Sequence, residues 1–264
     1  MILLHAVVAA LYAVAAWMGW PRATEPPPGA ARAILWFVPL AVALHAAAIA
    51  HSIFRPDGLD LSFANALSLV TGLCALVAWA SGLLGTLPRI AAVVLPIAAV
   101  GSLLPAFWIN PHRFAYADEP WAAAHIAVAL IAYALFVVAA LQAIVLTGLE
   151  KQLHRGLTAT GGTPPLLTLE RYLFRLIATG FALLTLTLAS GILFSEQLFG
   201  KPVTFTHKNV FSVAGWIVFA ILLFGRWRYG WRGRMAVNWI LAGTLLLVLG
   251  YLGSKFVLEV LLHR

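Results

Sequence analysis

Apolar residues along this chain come in continuous runs of about 20 residues separated by short polar links, not in the alternation of a half-buried strand. At about 1.5 Å per residue, such a run spans a hydrocarbon core, and in lipid each backbone amide must find its partner within the segment. The runs therefore predict transmembrane helices over about Ile2–Trp20, Ile34–Phe54, Ser62–Leu83, Ile90–Ile109, Pro120–Leu149, Tyr172–Phe194, Lys208–Phe224 and Ala236–Leu258. The links carry turn chemistry: a Pro-rich stretch over 21–33, Arg55-Pro56-Asp57-Gly58, Pro88, and Pro120 at a first-turn position. The longest hydrophilic link, 150–169, is too short for a domain, and no internal repeat stands out. The expected fold is all-α: a polytopic membrane helical bundle of about eight spans, forming one integral membrane domain over 1–264.

Composition strengthens this reading. Of the 264 residues 62% are hydrophobic and only 10% charged, where a soluble domain carries roughly a quarter charged. Mean hydropathy is +0.95. The first run lacks a basic start and reads as a retained span, not a cleaved leader. Cys74 stands alone, which excludes an intramolecular disulfide, a CxxC redox pair and a CxxCH covalent haem attachment.

The net charge of +8 would suit nucleic acid, but its distribution suits a membrane better. Of the 17 Lys and Arg residues, those in the links after the first, third, fifth and seventh runs form the clear majority. Arg226, Arg228, Arg232 and Arg234 are the densest group. The positive-inside rule puts that side in the cytoplasm and both termini outside. Trp227, Tyr229 and Trp231 alternate with these arginines as a headgroup anchor would, a reading preferred to an anionic-ligand site.

With this orientation the histidines are uneven. Only His154 falls on the cytoplasmic side, and His45 lies near mid-membrane. His5, His51, His112, His125, His207 and His263 lie at or near the outer face. Ionisable groups at membrane depth tend to be functional, so a shared role for at least two of them is expected. His125 sits early in the fifth run with Trp121 one turn earlier on the same face. His207 follows Thr206, a natural N-cap for the seventh run. Neutral imidazole is the form that binds metal, and two residues entering from different helix tops could grip one planar ligand from opposite sides. His45 and His51 are six residues apart, about 120° around one helix, so they cannot both bind one iron. His51 is the nearer to the outer face. His5, His112 and His263 read as exposed or terminal residues.

No Walker A, GxSxG or HExxH pattern occurs, and no compact ligand spacing points to zinc. Haem b needs one or two histidines, an apolar slot and aromatic walls. Trp108, Trp121, Phe194, Phe199 and Phe205 are candidates for the walls.

Several segments together resemble the cytochrome c assembly superfamily, the CcsA/ResC- and CcmC-like haem-handling proteins, and most closely its shorter HemX/YpjD-like branch. They are HSIFRPDGLDLSFANALSL (51–69), HIAVALIAYALFVVAALQ (125–142), YLFRLIATGFALLTLTLASGILF (172–194), THKNVFSVAGWIVFAILLFGRWRYGWRGR (206–234) and LGYLGSKFVLEVL (249–261). The resemblance implies a multi-pass protein of a bacterial inner membrane with periplasmic termini. It implies haem held without covalent attachment at an outer-face site with axial histidines, which suits His125 and, less closely, His207 as metal ligands; by their own positions, His51 and Trp121 are further candidate contacts. Haem-exporting members carry a tryptophan-rich WWD motif in the loop after the matching sixth helix. Here that loop reads SEQLFGKPVTFTHKN (195–209), without tryptophan. The expected role is accessory, binding and presenting haem as cargo or cofactor with no enzymatic step. Haem, membrane lipids and other assembly proteins are the expected partners, and nucleic acid is not. The competing reading is a scaffold or regulator that keeps the fold without the ligand.

Overall fold

A computed structural model describes residues 2–20, 30–55, 58–83, 88–108, 113–114, 120–154, 165–193 and 207–261. Among these residues the apolar runs become eight α-helices: α1 (Ile2–Met18), α2 (Ala30–Ile53), α3 (Phe63–Leu83), α4 (Pro88–Phe107), α5 (Pro120–His154), α6 (Leu166–Leu193), α7 (His207–Tyr229) and α8 (Gly233–Val248). α8 continues into two π-helical turns, Leu249–Gly253 and Phe256–Leu261. Among the described residues seven helices are long and apolar enough to cross a membrane, and α1 is a shorter apolar helix. The chain is a polytopic helical membrane protein.

Helices outrun the hydrophobic runs that predict them. α5 extends to His154 and α6 begins at Leu166, past the charges at which each run was expected to stop. A helix leaving lipid keeps its internal hydrogen bonds while Lys151 and Arg171, both exposed, reach water. Hydropathy marks where lipid ends, not where the helix does.

The helices divide into two groups that share a seam. α1, α2, α3 and α4 pack on one another; α5, α6, α7 and α8 form the second group; α5 joins them by packing on α3 and α4. In the second group the rings of Phe136 and Phe219 stack with centroids 3.9 Å apart. That stack is possible because α8 presents Gly243 to it, where a Cβ would come within 2.8 Å of the Phe219 ring. Small residues let transmembrane helices approach closely where hydrophobicity alone gives no drive to associate.

Two links have more structure than the sequence suggests. Phe54–Arg55 (β1), Gly58–Asp60 (β2) and Arg113–Phe114 (β3) form a short antiparallel ribbon, with Phe54 opposite Leu59 and Leu59 opposite Phe114. Buried Asp60 fastens it to α3 by accepting from Ser62 N at 3.1 Å and lying 3.6 Å from Arg55 Nε. At the other end of the bundle, Trp231 N–H bonds Gly225 O and Gly230 N–H bonds Arg226 O, closing α7 with Gly230 at φ +67°. Arg226 also meets Glu170 Oε1 at 2.5 Å and lies over the Phe174 ring, tying α7 to α6. Trp227 and Tyr229 point outward, whereas Trp231 packs on Gly225 and stacks on Trp239. One of the three expected anchor rings is therefore spent on closing the turn.

Candidate ligand-binding site

Above the Phe136–Phe219 stack, the second helix group opens into a cavity of about 830 Å³. α5 lines it with His125, Ile126, Ala129, Leu130 and Tyr133, one face of a helix by the three-and-four spacing. α6 gives Leu184, Thr187 and Leu188; α7 gives His207, Lys208, Phe211 and Ser212. The fourth wall is the extension of α8, with Tyr251, Ser254 and Lys255, and Leu61 reaches in from the other helix group. Most of the lining is apolar, with a few polar groups near the helix ends, the usual anatomy of a small-molecule pocket.

The π-helical turn is what turns the fourth wall inward. Gly250 lies so close to α7 that a Cβ there would come within 2.9 Å of Phe211 Cβ. The wider winding over Leu249–Gly253 re-aims the residues after it, and such turns recur at functional sites.

His125 is half-buried, and its Nδ1 lies 2.8 Å from Ser190 Oγ. Ser190 Oγ in turn bonds the Thr187 carbonyl at 3.1 Å. A hydroxyl has one proton, so where the Thr187 carbonyl takes it Nδ1 is the donor to Ser190 and Nε2 carries the lone pair. A hydrogen bond to one ring nitrogen that fixes the tautomer of the other is the arrangement that metal-binding imidazoles use. His207, in the first turn of α7, is exposed and lines the same cavity.

The extension of α8 is held by an ion pair. Lys255 Nζ lies 3.1 Å from Glu259 Oε1 and also bonds the Leu61 carbonyl. Glu259, only 4% exposed, accepts from Phe63 N–H through Oε2 at 2.5 Å. One carboxylate thus serves the cationic wall of the cavity and the start of α3, where an anion is favoured. Lys208 lies 5.2 Å and Lys255 5.9 Å from the Tyr251 ring centroid, so both ammoniums flank one aromatic ring.

Of the four residues expected at the site, the structure brings together His125 and His207 and leaves out two. His51 is exposed in the last turn of α2 and belongs to the first helix group. Trp121 is 77% exposed: it is four residues before His125, but the cavity starts below it, and its ring projects away. Trp108 packs edge-on against Phe63 and does not line the cavity. Phe194, Phe199 and Phe205, the loop 195–206, His112 and His263 lie outside the described residues. His5 is a correction as well. It is 1% exposed, not solvated, with Nδ1 2.7 Å from Ser102 O on α4. His45 is equally enclosed, between Ser68 Oγ at 2.9 Å and Tyr12 OH at 3.3 Å. Both are satisfied within the first helix group.

Sequence reasoning missed Ser190, Tyr133, Tyr251 and the cavity-facing role of Lys255. For Lys255 a signal exists, since a charge inside the last apolar run is unusual. For Ser190 there was none.

The fold and cavity define a class: a multi-pass membrane protein with a histidine-bearing, largely apolar pocket at one end of its second helix group. The chain belongs to the cytochrome C assembly protein family, whose model matches residues 35–262. Among relatives, it is 34% identical over 170 residues to the inner membrane protein YpjD of Escherichia coli K12, an alignment that covers 64% of each chain. It is 28% identical over 139 residues to the cytochrome c biogenesis protein CcsA of Chlamydomonas reinhardtii, covering 53% of this chain and 39% of that one. The corresponding protein of Gloeobacter violaceus is 30% identical over 92 residues, 35% of this chain and 27% of that one. The chain thus matches less than two thirds of the length of these relatives. No solved structure matches.

Proposed function

We propose that this protein binds haem b without covalent attachment in the cavity between α5, α6, α7 and α8, and presents it during cytochrome c assembly or haem handling. The observation that carries this reading is that His125 and His207, from the opening turns of two separate helices, line one mostly apolar cavity of about 830 Å³. The donor set fits the group. Among the described residues no three His, Cys, Asp or Glu side chains converge, as a zinc site would need. A porphyrin supplies the equatorial nitrogens itself and asks of the protein only an apolar slot and axial imidazoles. His125 and His207 would hold it, and Ser190 keeps the His125 Nε2 lone pair directed to that task. Bound there, the iron supplies redox and ligand-exchange chemistry, while this chain's residues bind, orient and exclude water. Its role is presentation, with haem as cargo and other assembly proteins as the receivers.

The charge pattern supports a location for this activity. The cavity opens at the end where α5 and α7 begin, and Arg226, Arg228, Arg232 and Arg234 cluster at the opposite end. With basic residues held in the cytoplasm, the mouth faces the periplasmic side of an inner membrane and both termini lie there too. The test is the absorbance of the full chain, expressed with added haem precursor and purified in mild detergent. A Soret band is expected, strongly reduced in His125→Ala and His207→Ala and unchanged in His51→Ala. A colourless wild-type protein would overturn haem binding and favour a scaffold that keeps the fold without the ligand.

A further inference from the structure

The cavity's charge is not balanced among the described residues. Two ammoniums, Lys208 and Lys255, line it, and the carboxylate beside them is Glu259, whose oxygens are engaged by Lys255 and by Phe63 N–H. Both ammoniums lie near the Tyr251 ring, at 5.2 Å for Lys208 and 5.9 Å for Lys255. Lys208 contacts the face of Tyr251, which attracts a cation without neutralising it. Lys208 is exposed and meets the cavity beside Phe211, Tyr133 and Tyr251. An anion arriving with the ligand would neutralise this positive corner.

The geometry points to Lys208 as the recognition group for a carboxylate carried by an otherwise apolar, ring-shaped ligand, with Lys255 closing the same corner. This rests on the reading of the cavity as a porphyrin site and adds the feature by which the site selects among apolar rings. Lys255 is held in place by Glu259 and the Leu61 carbonyl, so it arrives preorganised. Lys208, at the start of α7 beside His207, is the ammonium with latitude to move onto the ligand. A fatty acid carries the same group on an apolar body, and the experiment separates the two sources.

The full chain in detergent is titrated with metal-free protoporphyrin IX and with its dimethyl ester, following porphyrin fluorescence. Metal-free rings remove the histidine–iron bonds from the measurement. Wild type is expected to bind the free acid at least about tenfold more tightly than the ester, the scale of one charge-assisted hydrogen bond. Lys208→Met should erase that preference, and Lys208→Arg should restore most of it. Equal binding of acid and ester by wild type, or a preference that survives in Lys208→Met, overturns the inference while leaving haem binding intact. If neither porphyrin binds but oleate does, and Lys208→Met abolishes oleate binding, carboxylate recognition stands and the haem reading falls. Lys255→Met is measured only beside Lys208→Met, because its loss also frees Glu259.

Discussion

Glu259 joins the two helix groups, and its removal makes a sharp test of the packing argument. In Glu259→Ala, Phe63 N–H loses its acceptor in the first turn of α3, a change of the kind that costs about 0.5–2 kcal/mol at helix N-termini. Lys255, whose side chain is 18% exposed, loses its counter-charge. Stranding one member of a buried ion pair costs about 3–5 kcal/mol. The lower end applies, because Lys255 keeps the Leu61 carbonyl and sits at a cavity that water can enter. Together these give a loss of about 3.5–5 kcal/mol for Glu259→Ala, and of about 1–2 kcal/mol for Glu259→Gln, which still accepts from Phe63. The assay is denaturant unfolding in mixed micelles followed by circular dichroism, with hydrogen exchange to locate the loss. Exchange should rise at the start of α3 and in the π-helical extension, and not in α1. A Lys255→Met/Glu259→Ala double variant should lose less than the sum of the single variants, by about 1 kcal/mol or more, because neither partner is then stranded. Additive effects, or a Glu259→Ala protein within about 0.5 kcal/mol of wild type, would refute the claim that this carboxylate fastens the halves together.

Other expectations follow from the same contacts. Ser190→Ala removes the group that fixes the His125 tautomer, and haem titration should show affinity lowered by about 10–100-fold, with Ser190→Thr near wild type. An unchanged affinity would mean that Ser190 only packs. Gly243→Ala puts a methyl group 2.8 Å from the Phe219 ring and should cost about 1–3 kcal/mol in unfolding experiments. Gly243→Ala/Phe219→Leu should recover part of that loss; if it does not, the ring is not what confines the glycine.

How much of this was legible in the sequence follows from which forces act locally. Helix number and order were readable because lipid imposes one rule on every segment, and apolar runs report it directly. Helix ends were not, because Lys151 and Arg171 interrupt hydropathy without interrupting backbone hydrogen bonds. Helix-top position picked out His125 and His207, since both lie near helix starts that the links predict. The same reasoning failed for Trp121, where four-residue spacing fixed the helix face but not the depth at which the cavity begins. It failed for His5 in the opposite direction: nearness to the chain start suggested solvent, while a partner 97 residues away, Ser102, buries it. Ser190, Tyr251 and Lys255 depend on which helices become neighbours and on the π-winding of α8, and neither has a periodic trace in one sequence.

Orientation is the remaining premise, and the chain carries a convenient handle on it. Cys74 is the single cysteine of the sequence and is buried, its thiol 3.7 Å from Ala134 O between α3 and α5. A thiol placed there is shielded from reagents, and Cys74→Ala removes it while giving up only a weak hydrogen bond. In that background a cysteine can be placed at each end of the bundle on residues that pack against little. Phe54, on β1, is 70% exposed at the cavity end; Trp227, beside the arginine cluster, is 81% exposed at the other. If the arginines hold their end in the cytoplasm, a membrane-impermeant maleimide applied to spheroplasts should label Phe54→Cys and reach Trp227→Cys only after lysis. The reverse pattern would turn the cavity mouth to the cytosol. Haem binding by His125 and His207 could then still be observed in the purified protein, but presentation at the outer face could not be its purpose. The spectrum of the purified protein and the labelling of spheroplasts therefore test separate halves of the proposal, one the site and the other the side of the membrane on which it works.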